Sequence, residues 1–341
     1  MHIHAKVSGF QGMLGNEDKY YPIPVSLEDL ALAIVTAGRS GWPDALTGGV
    51  YRLYEIQALL LQTMAYVDET ADGLCTTDLY DSLDATEKGA ASYRIGMGIA
   101  KIIAERKLHV PWMRHIDPLI RQGIIQTDQK THERPDMVGQ SPDNQWHIIE
   151  AKGRSNSDRE AMRKGKLQAA AVNYVAGSIP HTKSACVTEL CWNSIYTDLE
   201  KVTGTGSIEL HMQEQGVFRR EYYGLVQGMA QLIEPIEYRL PLFDSPRNLG
   251  VFQLFMLPGT KYALGVQHQI YEMVTHDEDD SLSDFWNYFY SSDGFGSWHS
   301  RWYDYQWSTG QWSTGLRSTD VPDVQSLSIG LDGYLLLRTA K

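Results

Sequence analysis

The stretch ERPDMVGQSPDNQWHIIEAKGRS, residues 133–155, contains two short apolar segments separated by the turn-forming residues SPDN. This pattern predicts two strands joined as a hairpin. Asp136 falls on the first predicted strand, and Glu150 and Lys152 fall on the second. Because side chains alternate across a strand, Glu150 and Lys152 must share one face. Pairing through the turn then brings Asp136 beside Glu150.

These residue types in this arrangement favour metal-dependent chemistry on a phosphodiester. Two carboxylates, from Asp136 and Glu150, and the backbone carbonyl of Ala151 would offer hard oxygen ligands of the kind that Mg²⁺ or Mn²⁺ prefers. A lysine beside such a metal can orient the attacking water or neutralise charge that develops on the phosphate. The sequence therefore predicts catalytic roles for Asp136, Glu150 and Lys152.

The pattern resembles the signature of the PD-(D/E)XK nuclease superfamily, a Pro-Asp on one strand and a Glu-x-Lys on the next. The matching residues are Pro135-Asp136 and Glu150-Ala151-Lys152. The resemblance implies metal ligation by Asp136 and Glu150, with Lys152 positioning water or phosphate. The alternative is an ordinary hairpin that carries surface charges.

Residues 84–205 have the order helix, strands, helix, strand, which is also the core order of that superfamily. The resemblance thus covers about a third of the chain and implies an α/β fold, a restriction-endonuclease-like mixed sheet flanked by helices. Residues 1–83 are predicted to form a helical N-terminal unit, in which Ser26 and Asp29 suit a helix start. Residues 206–341 are predicted to be a C-terminal extension.

Two further residues are candidates for auxiliary roles, because many members of the superfamily add a glutamate from the first helix and a polar residue from the second. Glu87 lies at the start of the first predicted helix, where an acid also complements the helix dipole. Gln168, four residues after Lys164 on the second helix, could reach the site. Some members carry a tyrosine four residues after this glutamine, whereas this chain has Val172.

The charge distribution predicts a local phosphate site on an acidic body. The whole chain has a formal net charge of −12, whereas residues 94–166 hold 14 Lys and Arg against 9 Asp and Glu, a local charge of +5. An acidic chain does not coat nucleic acid with its whole surface. The candidate phosphate-binding residues are those that flank the motif, Arg134, Arg154, Lys164 and Lys166; the alternative for each is a solvated charge.

Other signals limit the class of protein. Three scattered cysteines predict reduced thiols, and no apolar run reaches the length of a membrane span, so a cytoplasmic, membrane-free protein is expected. The segment GMGIA at 96–100 lies inside a predicted helix and indicates close packing instead of a dinucleotide site. His115, in the segment RHID, is interpreted as a structural histidine, and the alternative is that it approaches the site.

The C-terminal extension carries an acidic run at 277–280, an aromatic-dense stretch at 285–312 and a duplicated QWSTG at 306–315. This composition favours a surface for a protein partner or for self-association over contact with phosphates. The expected function is an Mg²⁺-dependent nuclease, in which Mn²⁺ can substitute, with DNA favoured over RNA and a role in restriction or anti-phage defence. The alternative is a catalytically inactive nuclease-fold subunit that binds protein or nucleic acid.

Overall fold

The structure is a computed structural model, and it describes residues 1–10, 20–38, 49–127, 134–156, 159–212, 216–240, 250–276, 289–290 and 324–339. The acidic run, most of the aromatic-dense stretch and the duplicated QWSTG lie outside the described residues. The chain divides into two compact units. The first contains Met1–Trp42 and Leu59–Phe218, and the second contains Pro43–Ala58 and Arg219–Lys341.

The described residues form a mixed α/β structure whose elements are numbered along the chain. The helices are α1 Leu27–Ala37, α2 Gly49–Tyr66, α3 Asp78–Asp81, α4 Ala85–Leu108, α5 Ile116–Arg121, α6 Arg159–Ala170, α7 Val217–Tyr222, α8 Gly224–Ala230 and α9 His268–Thr275. The strands are β1 His2–Ser8, β2 Tyr21–Pro24, β3 Val67–Thr70, β4 Gly73–Thr76, β5 Trp112–His115, β6 Ile125–Thr127, β7 Met137–Gln140, β8 Trp146–Arg154, β9 Val172–Val175, β10 Thr182–Leu190, β11 Ile195–Lys201, β12 Ile208–Met212, β13 Ile236–Arg239, β14 Val251–Met256, β15 Tyr262–Gln267, β16 Val324–Ile329 and β17 Tyr334–Thr339.

The first unit is built on a seven-stranded mixed sheet with the order β2-β1-β11-β10-β8-β7-β5. Strands β5, β7 and β8 pair antiparallel in succession, and β10 pairs parallel to β8. The predicted hairpin is therefore formed by β7 and β8. Asp136 lies immediately before β7 and not within it, a shift of one residue from the predicted strand.

The two long helices of this unit cover opposite faces of β8. A methyl group at Gly165 of α6 would lie 3.5 Å from the Glu150 side chain, so α6 covers the Glu150 face. A methyl group at Gly153 would collide with Ser92 of α4, so α4 covers the other face. Strands covered on both faces are apolar along most of their length, and β10 is buried at every position except Glu189.

The first 83 residues contribute strands as well as the expected helices. The predicted helix start at Ser26 is confirmed, since Ser26 caps α1. Its hydroxyl accepts the Asp29 N–H and the Asp29 carboxylate accepts the Ser26 N–H, which together form a capping box. Strand β1, however, joins the main sheet parallel to β11. Its buried positions Ile3, Ala5 and Val7 alternate with half-buried ones, a period-two pattern typical of a strand.

The second unit contains a five-stranded antiparallel sheet with the order β13-β14-β15-β17-β16. Strands β14 and β15 form an antiparallel hairpin around the segment PGTK, residues 258–261. The helical segment that follows β12 is divided near Tyr223 into α7 and α8. Among all the helices described in the two units, none is long and apolar enough to cross a membrane.

Candidate active site

The carboxylates of Asp136 and Glu150 each accept a hydrogen bond from the backbone on the other side of the pair. The donor to Glu150 is the N–H of Asp136 itself, and the donor to Asp136 is the N–H of the residue after Glu150. The Asp136 N–H donates to Glu150 Oε2 at 2.8 Å, and the Ala151 N–H donates to Asp136 Oδ2 at 3.1 Å. The register that pairs Met137 with Ile149 creates this arrangement, because it sets Asp136 opposite Glu150. The structure therefore brings the two predicted carboxylates together.

Pro135 affects which backbone oxygen is available at this point. Continuing the register of the hairpin pairs Pro135 with Ala151. Proline has no N–H, so this ladder position has no donor for the Ala151 carbonyl. The N–H and C=O of one strand residue point towards the same neighbouring strand. Since the Ala151 N–H points to the Asp136 carboxylate, the Ala151 carbonyl lies on that side as well.

Lys152 completes the predicted group of three. Its ammonium makes an ion pair with Glu150 Oε1. The Glu150 side chain is fully buried, whereas 21% of the Lys152 side chain is exposed. Lys152 can therefore contact both a buried carboxylate and a solute outside the protein. Glu150 is not a surface charge, contrary to the ordinary-hairpin alternative.

In the part of the chain that the structure describes, the ion pair with Lys152 sets one ammonium against the two carboxylates of the site. Burial, followed by the neighbouring Asp136 carboxylate, raises the pKa of Glu150 to about 8, and Lys152 acts in the opposite direction. A buried carboxylate beside a second one is stabilised when a cation binds between them. Within the described ranges, no group of three or more His, Cys, Asp or Glu side chains could hold a metal. A metal here would take Asp136, Glu150, the Ala151 carbonyl and water.

Two residues that sequence reasoning did not assign to the site lie next to Asp136. The Tyr93 hydroxyl, on α4, is 3.4 Å from Asp136 Oδ1 and 2.7 Å from His115 Nε2. His115 Nε2 is itself 3.9 Å from Asp136 Oδ1. Burial raises the pKa of Tyr93 and lowers the pKa of His115, so both side chains are neutral at neutral pH.

Helix α4 reaches the site because two glycines allow its backbone to touch β8. A methyl group at Gly96 would lie 2.6 Å from the Gly153 nitrogen, and one at Gly153 would lie 1.7 Å from the Ser92 carbonyl oxygen. The prediction that GMGIA serves close packing is confirmed. This contact fixes the position of Tyr93 along β8. The sequence shows a glycine at each of the two positions, but it does not show that Gly96 contacts Gly153.

Helix α6 separates the two lysines that were predicted to bind phosphate. Lys166 makes an ion pair with Glu200 of β11, on the far side of β10 from the site. Lys164 and Gln168 lie on the opposite flank of the helix, given 100° per residue, and this flank is directed towards β8. The helix packs on the sheet through its buried row, Ala161, Gly165 and Ala169. Lys164 is exposed and Gln168 is half-buried.

The other candidates lie in different environments. The Arg134 guanidinium donates to Asp117 Oδ1 at 2.8 Å, so it is engaged by a carboxylate beside the site. Arg154, at the end of β8, is half-buried. Glu87 is exposed in the first turn of α4. It precedes Tyr93 by six residues, about 9 Å along the helix axis, so the structure does not bring it next to Asp136.

Comparison of the chain with protein-family models, with curated proteins and with solved structures finds no match. The residues of the site are therefore the indications of function. Two carboxylates are joined by hydrogen bonds from backbone amides, and an ammonium pairs with the buried carboxylate of Glu150. A tyrosine and a histidine lie next to the carboxylate of Asp136. Such a group at the end of a hairpin combines ligands for a hard cation with a side chain that can contact an anion.

Proposed function

We propose that the chain is a metal-dependent nuclease that hydrolyses phosphodiester bonds at Asp136, Glu150 and Lys152. The observation that carries the proposal is a reciprocal pair of hydrogen bonds, in which the Asp136 carboxylate accepts the Ala151 N–H and the Glu150 carboxylate accepts the Asp136 N–H. The Lys152 ammonium makes an ion pair with Glu150. It gives the two carboxylates a fixed relation, with the Lys152 ammonium paired to one of them.

The topology supports a restriction-endonuclease-like core of the PD-(D/E)XK type. Helix α4 is followed by the antiparallel strands β5, β7 and β8, then by α6, and then by β10 parallel to β8. This is the order expected from the resemblance, with α5 and β6 added between β5 and β7, and β9 added between α6 and β10. The motif residues lie at the open end of the β7–β8 hairpin, away from its turn, with Asp136 immediately before β7 and Glu150 and Lys152 in the second half of β8.

The proposed cofactor is Mg²⁺, for which Mn²⁺ can substitute. When bound, the cation would polarise the phosphodiester and activate the attacking water. Asp136 and Glu150 would hold it, with the Ala151 carbonyl as a third oxygen. Lys152 would stabilise the charge that develops on the phosphate, because its ammonium is the positive group of the motif and its side chain is partly exposed.

We favour DNA over RNA as the substrate because DNA is the commoner substrate of the superfamily. A net charge of −12 keeps general affinity for a polyanion low, so cleavage would depend on a protein partner or on association of several copies. Such control would suit restriction or anti-phage defence.

The test is cleavage of DNA and of RNA with Mg²⁺ or Mn²⁺, with EDTA as the metal-free control. Asp136→Asn and Glu150→Gln should abolish cleavage, since each removes one ligand charge at nearly constant volume. Glu234→Gln, an exposed position of the second unit, is the matched control and should cleave like the wild type. Metal-independent nucleic-acid binding without cleavage by the folded wild type would favour the inactive binding module instead.

A further inference from the structure

The hydroxyl of Tyr93 lies between the imidazole of His115 and the carboxylate of Asp136. Its oxygen is 2.7 Å from His115 Nε2, the length of a strong hydrogen bond, and 3.4 Å from Asp136 Oδ1, a longer contact. The other oxygen of Asp136 accepts the Ala151 N–H. The carboxylate is therefore approached by one donor on each oxygen.

The hydrogens of this group can be assigned from one backbone contact. His115 Nδ1 accepts the N–H of Asp117 at 3.1 Å, because His115 caps the N-terminus of α5. A ring nitrogen that accepts a hydrogen bond carries no proton, so the neutral ring carries its proton on Nε2. Nε2–H then donates to the Tyr93 oxygen, and the Tyr93 hydroxyl is left to donate to Asp136 Oδ1.

We propose that His115 and Tyr93 act as positioning residues, a hydrogen-bond relay in which His115 directs the Tyr93 hydroxyl onto Asp136 and so fixes the orientation of that carboxylate. The proposal rests on the proposed function for the purpose of the carboxylate, which is to hold a divalent cation. The relay itself is a statement about the protein without metal. It assigns a role to a histidine for which the sequence favoured a structural interpretation over an approach to the site.

The backbone around the relay holds its three members in place. Tyr93 is fixed by the glycine contact between α4 and β8. His115 is 3% exposed, and its ring is held on the first turn of α5. The Asp136 carbonyl accepts the Ile116 N–H at 2.8 Å, which ties the residue after His115 directly to the ligand residue. A ligand oriented by outer hydrogen bonds binds its metal more tightly because less ordering is needed on binding.

The first measurement is Mn²⁺ binding to the full chain in the absence of nucleic acid, by titration calorimetry. Tyr93→Phe removes only the hydroxyl and should weaken Mn²⁺ binding by about 10- to 100-fold. The matched control is Tyr80→Phe, which removes a buried hydroxyl bonded at 2.7 Å to Ser92, the neighbour of Tyr93 on α4. Tyr80→Phe should leave Mn²⁺ affinity unchanged. A loss of less than about fivefold in Tyr93→Phe overturns the proposal.

The second measurement is independent of both metal and cleavage. Nitrogen-15 NMR of the His115 ring, assigned with His115→Gln, should show a proton on Nε2 and none on Nδ1. The Nε2–H resonance should move in Tyr93→Phe and stay in Tyr80→Phe. A proton on Nδ1, or a resonance indifferent to Tyr93→Phe, overturns the relay. His115→Gln, whose amide can still donate to Tyr93, should bind Mn²⁺ more tightly than His115→Leu.

These readouts separate the relay from the proposed function. A wild type that binds Mn²⁺ but cuts no nucleic acid refutes the nuclease and leaves the calorimetric comparison decisive for the relay. A wild type that binds no Mn²⁺ refutes the metal site, and the NMR comparison then decides whether the relay exists. A wild type that cuts nucleic acid while Tyr93→Phe binds Mn²⁺ equally well refutes the relay alone.

Discussion

Lys152→Ala is the substitution for which a catalytic and a structural role give the most different results. The Lys152 ammonium contacts a fully buried carboxylate and is itself partly exposed. If it stabilises charge on the phosphate in the transition state, its removal should slow cleavage by about 100-fold, which corresponds to about 2.7 kcal/mol. Binding of the metal should change much less, because Asp136 and Glu150 remain.

The effect of the same substitution on stability follows from the state of Glu150. Breaking an ionised buried pair typically costs about 3–5 kcal/mol. Burial, followed by the neighbouring Asp136 carboxylate, raises the pKa of Glu150, so without metal the charged form of Glu150 is disfavoured and its ion pair with Lys152 contributes less stability than a fully ionised pair. We expect Lys152→Ala to lower the free energy of unfolding by no more than about 1 kcal/mol.

The assay is single-turnover cleavage at saturating Mg²⁺, with folding checked by circular dichroism and stability by urea titration. Lys152→Arg should not restore the rate, because a planar guanidinium does not replace a compact ammonium in a tight site. Lys261→Ala, at an exposed position of the second unit, is the control and should leave rate and stability unchanged. A folded Lys152→Ala protein that cuts at the wild-type rate would refute the catalytic role.

Two further predictions concern the packing and the pH dependence of the first unit. A methyl group at Gly153 would lie 1.7 Å from the carbonyl oxygen of Ser92 on α4, so Gly153→Ala should lower the free energy of unfolding by about 1–3 kcal/mol or more. Gly89 lies on α4 and faces open space, so Gly89→Ala should raise the free energy of unfolding by up to about 1 kcal/mol. Equal urea midpoints for the two variants would contradict the contact between α4 and β8. His147 is 2% exposed, and burial, followed by the charge of His181, lowers its pKa to about 4. Because the unfolded imidazole binds its proton near pH 6.5, the stability is fully present above that pH and should fall by up to about 3 kcal/mol as the pH falls to 4. Urea unfolding of His147→Asn across this range should lack that part of the loss, and an unchanged pH dependence would contradict the assignment.

The local parts of the candidate site could be predicted from the sequence because they depend on neighbouring residues. Strand alternation puts Glu150 and Lys152 on one face, and a short turn brings Asp136 beside them. The capping box at Ser26 is local in the same sense. Each of these features needs information from fewer than about 20 consecutive residues.

The parts that the sequence did not reveal depend on contacts between distant residues. Strand β1 pairs with β11, more than 180 residues later in the chain, so its alternation alone did not indicate a partner. Tyr93 and His115 are 22 residues apart, and each has an ordinary structural interpretation: one belongs to the apolar stripe of a helix, and the other precedes a helix. The approach of α4 to β8 through Gly96 and Gly153 brings Tyr93 to Asp136, and the pairing of β5 with β7 brings His115 there.

The burial of Glu150 is itself an argument that the group is more than a stabilising ion pair. Two carboxylates and one lysine in this position are a poor source of stability, because replacing a buried charged pair by apolar residues is often neutral or stabilising. Glu150 is nevertheless fully buried beside Asp136, and the Asp136 N–H holds its carboxylate by a hydrogen bond. Pro135 leaves the Ala151 carbonyl without a ladder donor, and Gly153 lets a helix approach until Tyr93 reaches Asp136. Each of these features lowers the stability of the fold locally. Several such features at one place are expected at a functional site and not in an ordinary hairpin. A cation held by the two carboxylates would turn this arrangement from a cost into a stabilising one, and metal-dependent stability of the folded chain is what the proposed function requires.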